Sequence, residues 1–182
     1  MEIKKGKFKT NDVSYTLQAP TGVPGDITRA DETNVEPAFL IASGSPATFV
    51  QQYGTAMVYT TGGITQWGTG NVAADFAGVL VRQAPGIQNS LASDLSFGGG
   101  VPNQYQIQGL CVRGYVNVVC QYGTPARGGV VYVNIQATGN RIVGGFEATS
   151  QGSYNVALSA TQAEWAADGF DANLNAELRI AR

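Results

Sequence analysis

Acid–base or nucleophilic chemistry in this chain would have to rest on carboxylates and thiols, because the sequence contains no histidine. That absence removes Ser-His-Asp and Cys-His catalysis, together with the usual zinc and iron ligand sets. Two pairs of acidic residues stand close in sequence, Asp31-Glu32 and Asp168 with Asp171. A glycosidase needs two carboxyl groups facing one another across a cleft, which sequence adjacency alone does not supply. In Asp168-Gly169-Phe170-Asp171 the short acidic side chains fit another task, accepting backbone N–H bonds in the loop before the last strand. The same loop lacks the regular oxygen ligands of a calcium site.

Cys111 and Cys120 show neither the C-x2-C spacing of a zinc site nor an activating histidine. In one continuous strand they would be roughly 30 Å apart at ~3.3 Å per residue, so they should not bridge. Alternation places Cys120 with Val112, Val116 and Val118 on a core face, and Cys111 with Arg113, Tyr115 and Asn117 on the other. Free, buried or half-buried thiols are expected. The glycine runs Gly62-Gly63, Gly68-x-Gly70 and Gly98-Gly99-Gly100 lack the Lys-Ser/Thr of a phosphate loop and read as turns. No catalytic residue, cofactor or metal site is therefore assigned.

Binding features are sparse but specific. Every lysine lies in the first nine residues, at Lys4, Lys5, Lys7 and Lys9, a basic tip able to touch an acidic partner surface. Trp67, in Gln66-Trp67-Gly68, is the expected exposed aromatic anchor. The net charge of −2 and the separation of aromatics from basic residues argue against a nucleic-acid partner. No apolar run reaches the ~18 residues of a membrane span, and no apolar segment follows the basic N-terminus, so synthesis in a cytoplasm is expected.

These residues sit on a chain that reads as all-β, a small barrel or sandwich of about eight to ten short strands behind an extended N-terminal arm. The arm covers residues 1–36, with Val13, Tyr15 and Leu17 as a short alternating strand among prolines and glycines. The β-domain covers residues 37–182, with strands expected at 38–42, 48–53, 56–60, 76–83, 104–119, 129–135, 142–148 and 154–158. Residues 161–167, carrying Trp165, could form one or two helical turns. The closing strand alternates Ala172, Leu174, Ala176, Leu178 and Ile180 with polar residues, so these five should point inward and close the barrel. Charged residues make up only 13% of the chain, about half the usual share, which suits a protein that buries surface in an assembly.

The order of the strand blocks resembles the capsid cement, or decoration, proteins of tailed bacteriophages. The blocks are Phe76-Ala77-Gly78-Val79-Leu80-Val81-Arg82, Gly114-Tyr115-Val116-Asn117-Val118, Arg127 to Val133, Gly144-Gly145-Phe146-Glu147-Ala148, Asn155 to Leu158, and Ala176-Glu177-Leu178-Arg179-Ile180. The resemblance implies a non-enzymatic β-protein on the outer surface of the phage head. Its partners would be the major capsid protein and further copies of itself, as trimers at local threefold axes or dimers at twofolds, stabilising the shell against internal DNA pressure. The arm would act as a strap, and exposed edge strands would suit partner pairing. Two other classes remain open from the residues. One is another phage part, such as a tail or head-completion β-protein. The other is a carbohydrate-binding module or glycosidase using Trp67 or Tyr53 with Asp168 or Asp171.

Overall fold

The longest strand explains most of the architecture. In the computed structural model, which describes residues 22–41, 52–82, 102 and 105–181, β5 (Ile107–Val119) runs through the middle of the larger sheet. The other strands are β1 (Asn34–Phe39), β2 (Ala56–Thr60), β3 (Gly63–Gln66), β4 (Phe76–Val81), β6 (Tyr132–Asn134), β7 (Phe146–Glu147), β8 (Asn155–Ala157), β9 (Ala163–Trp165) and β10 (Asn175–Ile180). The larger sheet has the order β3-β2-β4-β5-β10-β9, with β1 on the other flank of β5. The smaller has the order β7-β6-β8. All strand pairs within both sheets are antiparallel.

The arrangement is a sandwich; the larger sheet does not close into a barrel. Val79, Cys111, Val116, Val118, Trp165, Leu178 and Ile180 of the larger sheet share one core with Val133 and Phe146 of the smaller. A second core, of Met57, Ile64, Ala77, Leu80, Leu110 and Val112, lies on the opposite face of the β2–β4–β5 region. It is covered by Leu40 and Tyr53. Strand β4 is buried at all six positions, which is why its sequence is a continuous apolar run and does not alternate.

Cys111 corrects the alternation expected for β5. It is buried in the sandwich core with Cys120, not on the opposite face. The core side carries odd-numbered Cys111 before Gly114 and even-numbered Val116, Val118 and Cys120 after it. Gly114, at φ +119°, lies within the switch, and the register of β1 against β5 shifts just before it, where Asn34 faces Arg113, Val35 faces Cys111 and Val112 is left without an opposite. A single irregular residue inverts side-chain parity downstream, and strict counting by twos does not anticipate it.

Three other expectations change. Residues 163–165 form β9 in place of a helical turn, because Ala163 and Trp165 enter the core while Glu164 faces outward to Arg179. Residues 63–66 form β3, paired with β2 across a turn at Gly62. The last strand begins only at Asn175, and it lies between β5 and β9, so it does not close a barrel. Ala176, Leu178 and Ile180 point inward as expected, but Ala172 and Leu174 are exposed. The candidate strand at 13–17 and residues 48–51 of the one at 48–53 lie outside the described residues, and Gln52 and Tyr53 are not in a strand.

Candidate functional site

Residues 22–39 run antiparallel along one flank of β5. Gly25 N–H donates to Asn117 O at 2.8 Å, Asn117 N–H to Asp26 O at 2.8 Å, and Thr28 N–H to Tyr115 O at 3.2 Å. A 3-10 turn at Ala30–Glu32 then leads into β1. A polar latch secures the turn. Glu177 accepts Thr28 Oγ1 at 2.6 Å, Arg29 Nε at 3.1 Å and Arg29 Nη2 at 2.8 Å. The Arg29 guanidinium also lies 4.0 Å from the centre of the Tyr115 ring. Bidentate pairing and stacking use the planar geometry that lysine lacks.

Beside the latch is an open polar cleft of about 470 Å³, walled by Asp31, Glu32 and Asn34 on one side and Arg113, Tyr115 and Arg179 on the other. A second cleft is bounded by Glu36, Tyr59 and Arg113. Both signs of charge line the first cleft, so it presents no focused field for a highly charged ligand.

The remaining reactive groups are structural. Burial pushes the Cys111 thiol up to about 12 and the Cys120 thiol up to about 11, which keeps both protonated and poorly nucleophilic near neutrality. Glu147 is fully buried and is held by Arg141 Nη1 at 3.3 Å and Asn155 Nδ2 at 2.6 Å. Asp171 Oδ1 accepts the N–H groups of Asn173 at 2.8 Å and Asn175 at 2.9 Å, and Asp168 Oδ1 accepts Arg127 N–H at 2.8 Å. Asp171 therefore shapes the loop before β10, as the sequence suggested, whereas Asp168 departs from that expectation and ties the distant turn at Arg127 to this loop. Among the described residues no group of three or more His, Cys, Asp or Glu side chains could hold a metal ion.

Trp67 overturns its expected role. It is 1% exposed and packs against Phe76, with ring centres 6.2 Å apart and planes at 59°. It belongs to the sandwich core, so it is not the exposed anchor expected from the sequence. Tyr53, the other aromatic considered for sugar binding, is 5% exposed and donates its hydroxyl to Gln108 at 3.4 Å. Lys4, Lys5, Lys7 and Lys9 lie outside the described residues.

Two outer strands of the larger sheet, β3 and β9, are covered by flanking segments. β3 is flanked by Leu40 and Ile41, with Ile41 N–H donating to Ile64 O at 2.8 Å. β9 is flanked by residues 128–130, with Gly128 N–H donating to Trp165 O at 2.8 Å. These two ends are therefore covered, whereas β1, which pairs only with β5 and is largely exposed, remains as an outer strand of the sheet. The large apolar side chains at the surface include Tyr105, Ile107, Phe39 and Leu174. Sequence reasoning missed them. Their apolar character predicts burial, and only the tertiary arrangement shows which apolar residues remain outside.

The arrangement offers surfaces and clefts, and among the described residues no cluster that could hold a metal ion. Comparison with known proteins gives these surfaces a context. The family profile described as "Structural cement protein (E217 gp24/Pam3 gp6)" matches residues 12–181. Comparison with curated proteins finds no match. Among solved structures, a chain of the capsid of Myoviridae phage XM1 superposes with a TM-score of 0.61 at 16% identity, covering 91% of this chain and 94% of that one. At that identity the likeness establishes the shared fold. The family match, over nearly the whole length, establishes the lineage: the chain belongs to the phage structural cement proteins.

Proposed function

We propose that this protein decorates the outer surface of a phage head, bridging neighbouring major capsid proteins and stabilising the shell against packaged DNA. The family match over residues 12–181 carries this reading. It is made in the host cytoplasm and acts on the virion as a homo-oligomer, a trimer in preference to a dimer. The sandwich supports the role physically. Its cores are filled, its ionisable groups serve structure, and its exposed side chains are available for contacts that gain strength by repetition on a lattice.

The test is to add the purified protein to expanded capsids that lack it and to image them by electron microscopy. Hundreds of copies per head, with heads surviving heat or chelator stress longer than bare ones, are expected. An undecorated surface, or a handful of copies at a single vertex, would instead mark a connector or tail component. Light scattering on the free protein reports the oligomer number.

A further inference from the structure

Two described residues other than glycine hold a left-handed backbone, Tyr105 at φ +58° and Leu174 at φ +64°. Bulky side chains rarely occupy this region, because Cβ crowds the neighbouring carbonyl oxygen. In both cases the side chain is turned outward, Tyr105 being 63% and Leu174 42% exposed. Strain of this kind persists only where the surroundings impose it. At Leu174 the buried Asp171 does so. Leu174 N–H donates to Asp171 O at 3.0 Å, while Asp171 Oδ1 accepts from Asn173 on one side and Asn175 on the other. At Tyr105 the chain bulges, with Tyr105 N–H donating to Leu40 O at 2.7 Å and Leu40 N–H donating to Gln106 O at 2.9 Å.

The two positions mark opposite ends of β5. Tyr105 lies just before Ile107, the first residue of the strand, and the Leu174 carbonyl accepts the N–H of Cys120, just after the last. A 13-residue strand separates them by on the order of 40 Å along its path at ~3.3 Å per residue. The Tyr105 end is broadly apolar. Ile107 is 62% exposed and its cross-strand neighbour Phe39 is 41% exposed.

Resting on the capsid-binding reading above, we propose that Tyr105 and Leu174 are the protein's contact anchors. Each is a strained apolar tip that enters an apolar depression on a different major capsid protein subunit, with β5 as the rigid strut between them. The size of the contact favours this occupant over a second copy of the chain. An aromatic side chain contributes ~150–250 Å² when fully buried, so the exposed fractions of Tyr105, Ile107 and Phe39 together offer roughly 300–400 Å². A stable free-standing complex needs ~800 Å² per partner. A contact of half that size is effective where many copies act together on a lattice, and where the two ends engage at once. Backbone strain at both tips then has a purpose. It aims an apolar side chain away from the fold that would otherwise bury it.

The test uses Tyr105→Asn, Leu174→Asn and the double variant, since asparagine tolerates the left-handed region. Each variant is expected to melt at or above the wild-type temperature. Each should bind expanded capsids at least tenfold more weakly, and the double variant should leave them undecorated. Tyr154→Asn, which removes an exposed tyrosine with ordinary backbone geometry, should bind as wild type. Wild-type decoration by the folded variants overturns the proposal, as does a melting temperature several degrees lower, which would make the side chains part of the fold. A change in oligomer mass also overturns it, because the tips would then be a self-interface. If the wild-type protein itself fails to decorate capsids, the capsid reading falls and this proposal with it. If the wild type decorates and the variants decorate equally, only this proposal falls.

Discussion

Thr33 lies directly against Gly114, filling the space that a Cβ at position 114 would occupy. The Thr33 hydroxyl accepts the N–H of Tyr115 at 3.1 Å and donates to Arg29 O at 2.6 Å. The contact joins the turn before β1 to the kink in β5, at the point where the core face changes parity. Gly114→Ala would combine positive-φ strain with displacement of Thr33. A loss of about 2–3 kcal/mol is expected, read as a lower denaturation midpoint with an unchanged slope.

Trp67 should behave as a core residue. Trp67→Ala is expected to cost about 3–5 kcal/mol. Trp67→Phe should cost much less than that, because the buried indole N–H has no hydrogen-bond partner among the described residues to lose. A folded Trp67→Phe variant that retains capsid decoration separates packing from anchoring. Lost decoration at full stability would restore the anchor role.

The two thiols should resist alkylation in the folded state. At pH 8, iodoacetamide should label Cys111 and Cys120 only after denaturant is added, as mass spectrometry would show. The same shift has a definite pH sign. In the unfolded chain the thiols ionise near 9, whereas folded they hold their protons to about 12 and about 11. Their contribution is fully present below about pH 9 and is lost as the pH rises through the folded values, since the unfolded state then binds fewer protons. Cys111→Ser with Cys120→Ser should flatten that alkaline decline, and an unaltered decline would assign it to other groups.

Glu147 depends on Arg141. Removing the cation with Arg141→Met leaves a fully buried carboxylate short of its counter-charge. Breaking a buried pair in this way costs about 3 kcal/mol or more. A thermal melt checks it, and Arg141→Lys should recover part of the loss.

The latch at Glu177 should matter locally more than globally. Arg29 is 44% exposed at its side chain, so solvent screens the pair and Glu177→Ala should cost about 1 kcal/mol or less. Hydrogen exchange should nevertheless accelerate at Thr28 and its neighbours, because their backbone bonds to β5 rely on that clamp. Uniform exchange across the sheet would mean that the latch is not a separate local unit.

Much of this architecture is legible in the chain itself. Alternation in Ala176, Leu178 and Ile180, the apolar run from Phe76 to Val81, and the glycine turns all report local geometry, and local geometry is written in adjacent residues. The order of those blocks carries the family resemblance, and the absence of histidine directs attention from catalysis to surfaces. The role of Asp171 is equally readable, since an Asx turn closes within a few residues; that of Asp168 is not, because its partner Arg127 lies 41 residues away.

Other features depend on residues distant in sequence, and no window along the chain contains them. Trp67 is buried because Phe76 packs against it in the sandwich core, which its glycine-rich flanks do not reveal. Cys111 enters the same core because β5 changes parity between Cys111 and Val116, at a kink that Thr33, 78 positions before Cys111, packs against. Leu174 alternates perfectly with Leu178 yet points outward, since Asp171 holds its backbone in the left-handed region. By itself the sequence determined the all-β class, several of the strands and the lineage, because each is a matter of short-range pattern and order. Only the tertiary structure decided which apolar residues fill the cores and which stand at the surface. Burial is a property of the whole packed sheet, and a single bulge or buried carboxylate can reverse it at any one position.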